Sequence, residues 1–169
     1  MNNLKRLIAL PVLALAASGA SFAAETQTAD FQVRMVIQES CTISSAPTDV
    51  DFLAHARSPG APVAATGTLS VNCSEGTPYQ IGLDSGIHAS SEGVATSGGR
   101  QMSNGNALVP YELYQDSSLA KLWGNTESVD MLSAIGTAQD QSHTVHGSVP
   151  STNFPAGTYT DTVTARVVY

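Results

Sequence analysis

Basic residues are scarce in this sequence. Lysine and arginine together number 7 among 169 residues, against 14 aspartates and glutamates. Beyond residue 23 the net charge is 5 − 14 = −9, because only five basic residues remain there: Arg34, Arg57, Arg100, Lys121 and Arg166. A chain this acidic lacks the positive patch that binds phosphate backbones or anionic headgroups. Nucleic acid and anionic lipid are therefore not expected as partners.

Long apolar runs are also rare, and the clearest one stands at the start. Lys5 and Arg6 precede "LIALPVLALAA" (Leu7–Ala17), which the small residues of "SGASFA" follow. The run is too short to cross a bilayer, and this order of features is typical of a cleaved export signal. We predict a signal peptide over residues 1–23, cleaved after Ala23. The remaining length suits one domain with its own core.

Cysteine is limited to two positions, Cys41 and Cys73. Their spacing is far from C-x-x-C and no third metal ligand stands nearby, which disfavours a redox or metal pair. An exported chain meets an oxidising compartment, where two cysteines pair. We therefore predict a structural disulfide between Cys41 and Cys73.

Helical periodicity is missing from every long stretch, whereas short alternating runs separated by Gly, Pro, Asn and Ser are frequent. Such a pattern predicts an all-β sandwich. The predicted strands are Ala29–Gln38, Val50–Leu53, Ala65–Cys73, Tyr79–Asp84, Arg100–Ser103, Leu108–Gln115, Gln141–Val149 and Thr158–Tyr169. Asn104-Gly105 predicts a two-residue type I′ hairpin turn, and "DSGIHASSEGVATSGG" (Asp84–Gly99) a surface loop. "NTESVDMLSAIG" fits either a short strand or a helical turn.

The first and last predicted strands alternate most regularly. In the first, Phe31, Val33, Met35 and Ile37 share one face; in the last, so do Tyr159, Asp161, Val163, Ala165, Val167 and Tyr169. The pattern alone leaves two interpretations open. Either strand belongs inside a closed monomeric sandwich, or the two pair between different copies of the chain.

The order of several motifs resembles one family. They are "LSVNCSEGTPYQIGLDSG" (Leu69–Gly86), "RQM" with "PYELYQD", "LWGN" (Leu122–Asn125) and the Pro-x-Gly-x-Tyr-x-Asp-x-Val ending in "FPAGTYTDTVTARVVY" (Phe154–Tyr169). Together, behind an export signal and an early cysteine, they resemble the pilins of archaic chaperone–usher pili. This group carries the spore coat U domain, and Csu-type biofilm pili are an example.

The resemblance implies an incomplete immunoglobulin-like β-sandwich that lacks its final strand. It implies a donor segment over residues 24–38, with Phe31, Val33, Met35 and Ile37 as its inserted side chains, and a pilin domain over residues 39–169. The acceptor groove would be lined by the last strand, at Tyr159, Val163, Ala165, Val167 and Tyr169. The donor segment of one subunit would then add a strand to the open sheet edge of another. Ala165 is small for a groove position, and Val168 breaks the alternation.

The same resemblance implies the partners and the location. A periplasmic chaperone would fill the groove first, and at an outer-membrane usher the donor segment of a neighbouring pilin would replace it. The protein would be exported through the periplasm to a cell-surface pilus that supports attachment and biofilm formation. The alternative is a secreted coat or matrix protein of the same domain type that does not polymerise through an usher.

Catalytic and metal-binding patterns are weak. His143 and His146 form H-x-x-H, but in a strand they point to opposite faces, and with His55 and His88 they are predicted to be solvated surface residues. "GLDSG" places its serine one position late for a nucleophile elbow, and Ser118–Lys121 fits S-x-x-K without its companion motifs. We expect no enzyme activity, metal or cofactor, although a small exported hydrolase or metal-binding enzyme remains the rival from another class.

Overall fold

The computed structural model describes residues 24–60, 62–90 and 99–169. The predicted signal peptide, residues 1–23, lies outside the described residues, as does part of the predicted Asp84–Gly99 loop. The chain divides into two units, Met1–Val36 and Ile37–Tyr169. The second contains eight strands: β1 Cys41–Ile43, β2 Val63–Cys73, β3 Pro78–Leu83, β4 Arg100–Ser103, β5 Leu108–Tyr114, β6 Leu132–Ile135, β7 Asp140–Val149 and β8 Ala165–Val168. Within the described ranges there is no helix, and hence none long and apolar enough to cross a membrane.

The larger sheet contains five antiparallel strands in the order β1-β2-β7-β5-β4. Its centre is the long β2–β7 pair, which runs in register from Val63 opposite Val149 to Asn72 opposite Asp140. Residues with odd numbers on both strands face inward, as their alternating burial shows. The predicted strands here were largely right, because one buried face imposes alternation on the sequence.

The smaller sheet contains three strands in the order β6-β3-β8. β3 is central and pairs antiparallel with both neighbours, Tyr79 lying opposite Ala134 and Ile81 opposite Val167. The two sheets enclose a single core in which Trp123 is fully buried and donates from its Nε1 to the Ile81 carbonyl at 2.8 Å. The arrangement is the predicted all-β sandwich.

The predicted strand Val50–Leu53 is wrong. After Thr48, which bridges to Thr68 on the edge of β2, the chain leaves the sheet and crosses its inner face. It passes so close that a Cβ atom on Gly67 would lie 2.9 Å from the Val50 side chain, and one on Gly147 would lie 2.9 Å from Phe52. Val50 and Phe52 therefore act as core residues supplied by an irregular segment.

The predicted strand Ala29–Gln38 is also not formed in the isolated chain. Residues 24–40 carry no strand, and the four side chains of its apolar face are 78–87% exposed: Phe31, Val33, Met35 and Ile37. Their alternation is real, but a strand needs a partner to satisfy its N–H and C=O groups. The donor role of residues 24–38 stays a prediction.

The last predicted strand, Thr158–Tyr169, is shorter and divided. Thr160 forms an isolated bridge with Ser103 of β4, whereas only Ala165–Val168 pair with β3. The hairpin β4–β5 is confirmed, but its turn is not the predicted two-residue type I′. Asn104–Ala107 form a four-residue loop in which the Asn104 carboxamide accepts from the backbone N–H groups of Asn106 and Ala107.

The predicted disulfide is confirmed. Cys41 and Cys73 lie directly opposite each other across β1 and β2 and are bonded. The sequence pattern does not reveal β1, which has only three residues, and it fits either a strand or a helical turn at β6. The bond fixes the first strand of the sandwich to its neighbour although that strand is too short to hold itself there by pairing alone.

Candidate functional site

β8 forms one open edge of the sandwich. Its only hydrogen-bonded neighbour among the described strands is β3. Just before it, Thr164 accepts from the Asp84 N–H at 3.0 Å and donates to the Asp84 carboxylate at 2.9 Å, so both backbone groups of Thr164 face the β3 side. Backbone groups alternate in direction along an antiparallel strand. Those of Val163, Ala165 and Val167 therefore point away from β3, towards the open side.

β1 forms the facing edge. Among the described strands it pairs with β2 alone, and the bonds from Ser74 to Ser40 and from Ser44 to Ser70 turn the even-numbered residues of this strand towards β2. The N–H and C=O groups of Cys41 and Ile43 therefore point away from β2. Some Cα atoms of β1 lie within 8 Å of β8, although the two strands are not paired with each other. We call the surface between these two edges the groove.

The last segment turns four of the five predicted groove residues inward, and their role in strand acceptance stays a prediction. Tyr159, Val163, Ala165 and Val167 are half-buried and pack against the core. Tyr169 is 59% exposed and does not belong to that packed set. The side chains between them are mostly exposed, except that Val168 is half-buried. The predicted row is thus brought together at the groove floor except at its last member.

A cavity of about 680 Å³ opens at the Tyr159 end of the groove. Its apolar lining comes from the crossing segment, from the larger sheet and from the approach to β8: Val50, Phe52, Met102, Val149, Phe154 and Tyr159. Phe52, Met102 and Phe154 are only half-buried there. The core of the single chain is therefore incompletely covered at this end.

Two carboxylates hold the approach to β8 in place. The Asp161 side chain is only 3% exposed and accepts from the Tyr111 hydroxyl at 2.6 Å, the Ile87 N–H at 3.0 Å and His88 Nδ1 at 3.0 Å. Burial first, and then the hydrogen bond to Asp161, raises the pKa of Tyr111 well above its usual range, so that its hydroxyl remains a donor. The Asp84 carboxylate also accepts from the Thr164 N–H. We call this network of Asp161 and Asp84 hydrogen bonds the clasp, and it ties the open edge to the loop after β3.

A buried arginine stiffens the same region. Arg100 is 1% exposed, and its guanidinium donates to the backbone carbonyls of Leu83, Asp84 and Trp123 at 2.8–2.9 Å. Burial lowers its pKa, while the negative charge of Asp84 opposes that shift. Arg100 thus joins the end of β3 to β4 and to the Trp123 segment.

Sequence reasoning missed this polar set. The alternation places Asp161 on the inward face of the last strand, and Arg100 begins a predicted strand, but neither pattern predicts a hydrogen-bonded network. A signal was present, because an aspartate on the apolar face of an alternating strand must be hydrogen-bonded if the strand is buried. The identity of its partners could not be read from the sequence, since Tyr111 and His88 come from distant segments.

The four histidines lie in different parts of the fold. Two of them, His88 and His143, bond to other side chains instead of being solvated as predicted. His143 faces inward, where its Nε2 lies 2.9 Å from the Tyr79 hydroxyl, and burial lowers its pKa. His88 belongs to the clasp, so only His55 and His146 remain of the predicted solvated set. His143 and His146 do point to opposite faces of β7. Within the described residues no three His, Cys, Asp or Glu side chains are placed to hold a metal ion.

Comparison with known proteins identifies a domain family and similar proteins. The sequence profile of the Spore Coat Protein U domain matches residues 27–166. Protein U of Myxococcus xanthus is 34% identical over 107 residues, which are 62% of this chain and 59% of that protein. Among solved structures, a chain of the CsuC-CsuE chaperone-tip adhesion subunit pre-assembly complex, from the archaic chaperone-usher Csu pili of Acinetobacter baumannii, aligns with a TM-score of 0.56 and 25% identity. That alignment covers 79% of this chain and 40% of the other, so the chain spans less than two thirds of both matched proteins. The likeness confirms the predicted fold class, an incomplete immunoglobulin-like sandwich of the pilin type.

Proposed function

Since the chain belongs to the Spore Coat Protein U domain family, we propose that it is a structural subunit of a chaperone–usher pilus, assembled by donor-strand exchange. The proposal rests on two features that complement each other, namely unpaired strand edges and an exposed apolar segment. Among the described strands, the edge strands β1 and β8 face each other unpaired beside a partly uncovered core, and residues 24–38 carry four exposed apolar side chains at strand spacing. An extended segment with alternate apolar side chains is the ligand that such an edge accepts.

The energetic scale supports this reading. Burying Phe31, Val33, Met35 and Ile37 at about 1.5–3 kcal/mol each gives roughly 6–12 kcal/mol as an upper estimate. That is comparable with the whole stability of a typical domain, about 5–15 kcal/mol. A complemented subunit would therefore resist unfolding far better than a free one, which suits a fibre outside the cell.

The family and the matched chaperone–subunit complex support the proposed partners. A periplasmic chaperone covers the groove before assembly, an outer-membrane usher is the site of exchange, and neighbouring pilins supply the donor segment. The matched Acinetobacter complex contains a chaperone and a tip adhesion subunit. In this proposal the protein is non-catalytic, is exported through the periplasm and acts at the cell surface in attachment and biofilm formation.

The test is heat-resistance electrophoresis of residues 24–169, purified from the periplasm, with and without Ala24–Gln38. We expect a ladder of multimers that survives mild heating in denaturant and is absent from the truncated chain. Val33→Asp should also weaken the ladder strongly, because it places a charge among the inserted side chains. Gln32→Asp makes the same change in charge on the opposite face and should leave the ladder intact.

The coat or matrix interpretation is supported by the family's description as a spore coat domain. It predicts a folded monomer both with and without residues 24–38. That result, with Val33→Asp indistinguishable from Gln32→Asp, would refute donor-strand exchange and favour this second function.

A further inference from the structure

We propose that the donor segment of one copy pairs antiparallel with β8 of the next, with Phe31 opposite Ala165 and Asp30 opposite Arg166. This inference rests on the proposed function and specifies its register. The occupant of the groove is a second copy of this chain, and the pairing decides which donor side chain enters each part of the groove floor.

Backbone direction limits the possible registers. Thr160 exchanges both backbone bonds with Ser103, and Thr164 directs both towards Asp84, so even-numbered residues face the strands already present. The odd-numbered residues present their N–H and C=O groups to the open side and their side chains to the core. In an antiparallel pair, directly opposed residues share a face of the sheet. The inward donor residues must therefore oppose odd-numbered residues of the segment from Tyr159 to Val167, and alternative registers differ by steps of two residues.

Side-chain size distinguishes among these steps. Ala165 is the smallest inward residue of this edge and lies between Val163 and Val167, so it leaves the most room for an opposed side chain. Phe31 is the largest of the four donor side chains. Packing favours a large side chain opposite a small one, because facing layers then interdigitate without a void. The size argument places Phe31 over Ala165.

Charge on the outer face selects the same register independently. Arg166 is exposed on β8, and its guanidinium bonds to Glu127 at 3.2 Å and to the Asn125 carbonyl at 2.8 Å. With Phe31 opposite Ala165 in the antiparallel orientation, Asp30 falls opposite Arg166. With Met35 opposite Ala165, Arg34 would oppose Arg166, and like charges directly opposed are destabilising.

Orientation is settled by the same two residues. In a parallel arrangement with Phe31 at Ala165, Gln32 would lie beside Arg166 and no ion pair would form. Antiparallel ladders are also slightly more stable per residue. Only the antiparallel register satisfies both size and charge, and it carries Ile37 to Tyr159, at the mouth of the 680 Å³ cavity.

Engineered disulfides between copies test the register. Residues opposed across an antiparallel pair lie within bonding distance for two cysteines. In the exported chain, Asp30→Cys with Arg166→Cys should give a covalent ladder that persists after boiling without reductant and collapses when reductant is added. The matched controls are Gln32→Cys with Arg166→Cys, which reports both the two-residue slip and the parallel orientation, and Arg34→Cys with Arg166→Cys.

The outcomes separate the register from the function. A covalent ladder for the Asp30 pair alone supports the proposal. A covalent ladder for the Gln32 or Arg34 pair, or for none of the three while unboiled reduced samples still show the non-covalent ladder, overturns the register and leaves strand exchange standing. If the unsubstituted chain shows no heat-stable ladder at all, the proposed function fails and the register fails with it.

Discussion

Removing the Asp161 carboxylate should destabilise the sandwich more than almost any other single change near its open edge. Asp161→Ala deletes three hydrogen bonds and leaves the Tyr111 hydroxyl and the Ile87 N–H without their partner. Hydrogen bonds to charged groups contribute about 1.5–3 kcal/mol each, and the losses within one network overlap. We therefore expect the free energy of unfolding to fall by about 3–5 kcal/mol, a large fraction of a typical total of about 5–15 kcal/mol.

Urea denaturation of gel-filtered monomer, followed by the fluorescence of Trp123, measures this change, since the chain has one tryptophan and it is buried. With a slope of about 1–3 kcal/mol per molar urea, the midpoint should drop by about 2 M at unchanged slope. Tyr111→Phe, which removes one of the three bonds, should cost about 1.5–3 kcal/mol. Thr162→Ala, an exposed neighbour, should stay within about 0.5 kcal/mol. If Asp161→Ala lost less than about 1 kcal/mol, the clasp would not be what holds the edge.

Two further predictions concern the disulfide and a buried histidine. Replacing Cys41 and Cys73 together with serine should lower the free energy of unfolding by roughly 3–4 kcal/mol, as measured by urea denaturation, because the bond closes a loop of sequence separation 32; an unchanged midpoint would contradict this. Burial lowers the pKa of His143, so the unfolded chain binds its proton more readily than the folded one. Its contribution to stability is therefore complete above the unfolded pKa of about 6.5 and declines as the pH falls below that value. The urea midpoint should fall between about pH 7.5 and about pH 5, and His143→Gln, but not His55→Gln, should flatten that fall; equal slopes for both variants would refute the assignment.

The central strands of the fold were predictable because burial of one face leaves its mark on the sequence. β2, β3, β5 and β7 alternate along most of their length. β1 has only three residues and is placed by its disulfide, so no local pattern could reveal it. Val50 and Phe52 alternate like a strand because they too cover the core, yet their backbone crosses the sheet instead of joining it. Alternation reports which side chains are buried, and it does not report which backbone groups are paired.

The inward side chains of the candidate site were predictable from the sequence, whereas the hydrogen-bond network that holds the segment in place was not. Val163, Ala165 and Val167 face the core as their spacing predicted. The partners of Asp161 come from residues about 50 and 73 positions away, and only the folded topology brings them together. Sequence identifies a residue that needs a partner more easily than it identifies the partner.

The close approach of β1 to β8 has a kinetic consequence. A strand inserted between two others separates them by about 9.5 Å, twice the spacing of neighbouring strands, whereas parts of these two edges are within 8 Å. In the proposed exchange, an incoming segment would have to push the edges apart before its side chains could be buried. Capture would then proceed through an activated opening and accelerate steeply with temperature. The same barrier would also slow the dissociation of a captured strand, so the complex would be kinetically stable.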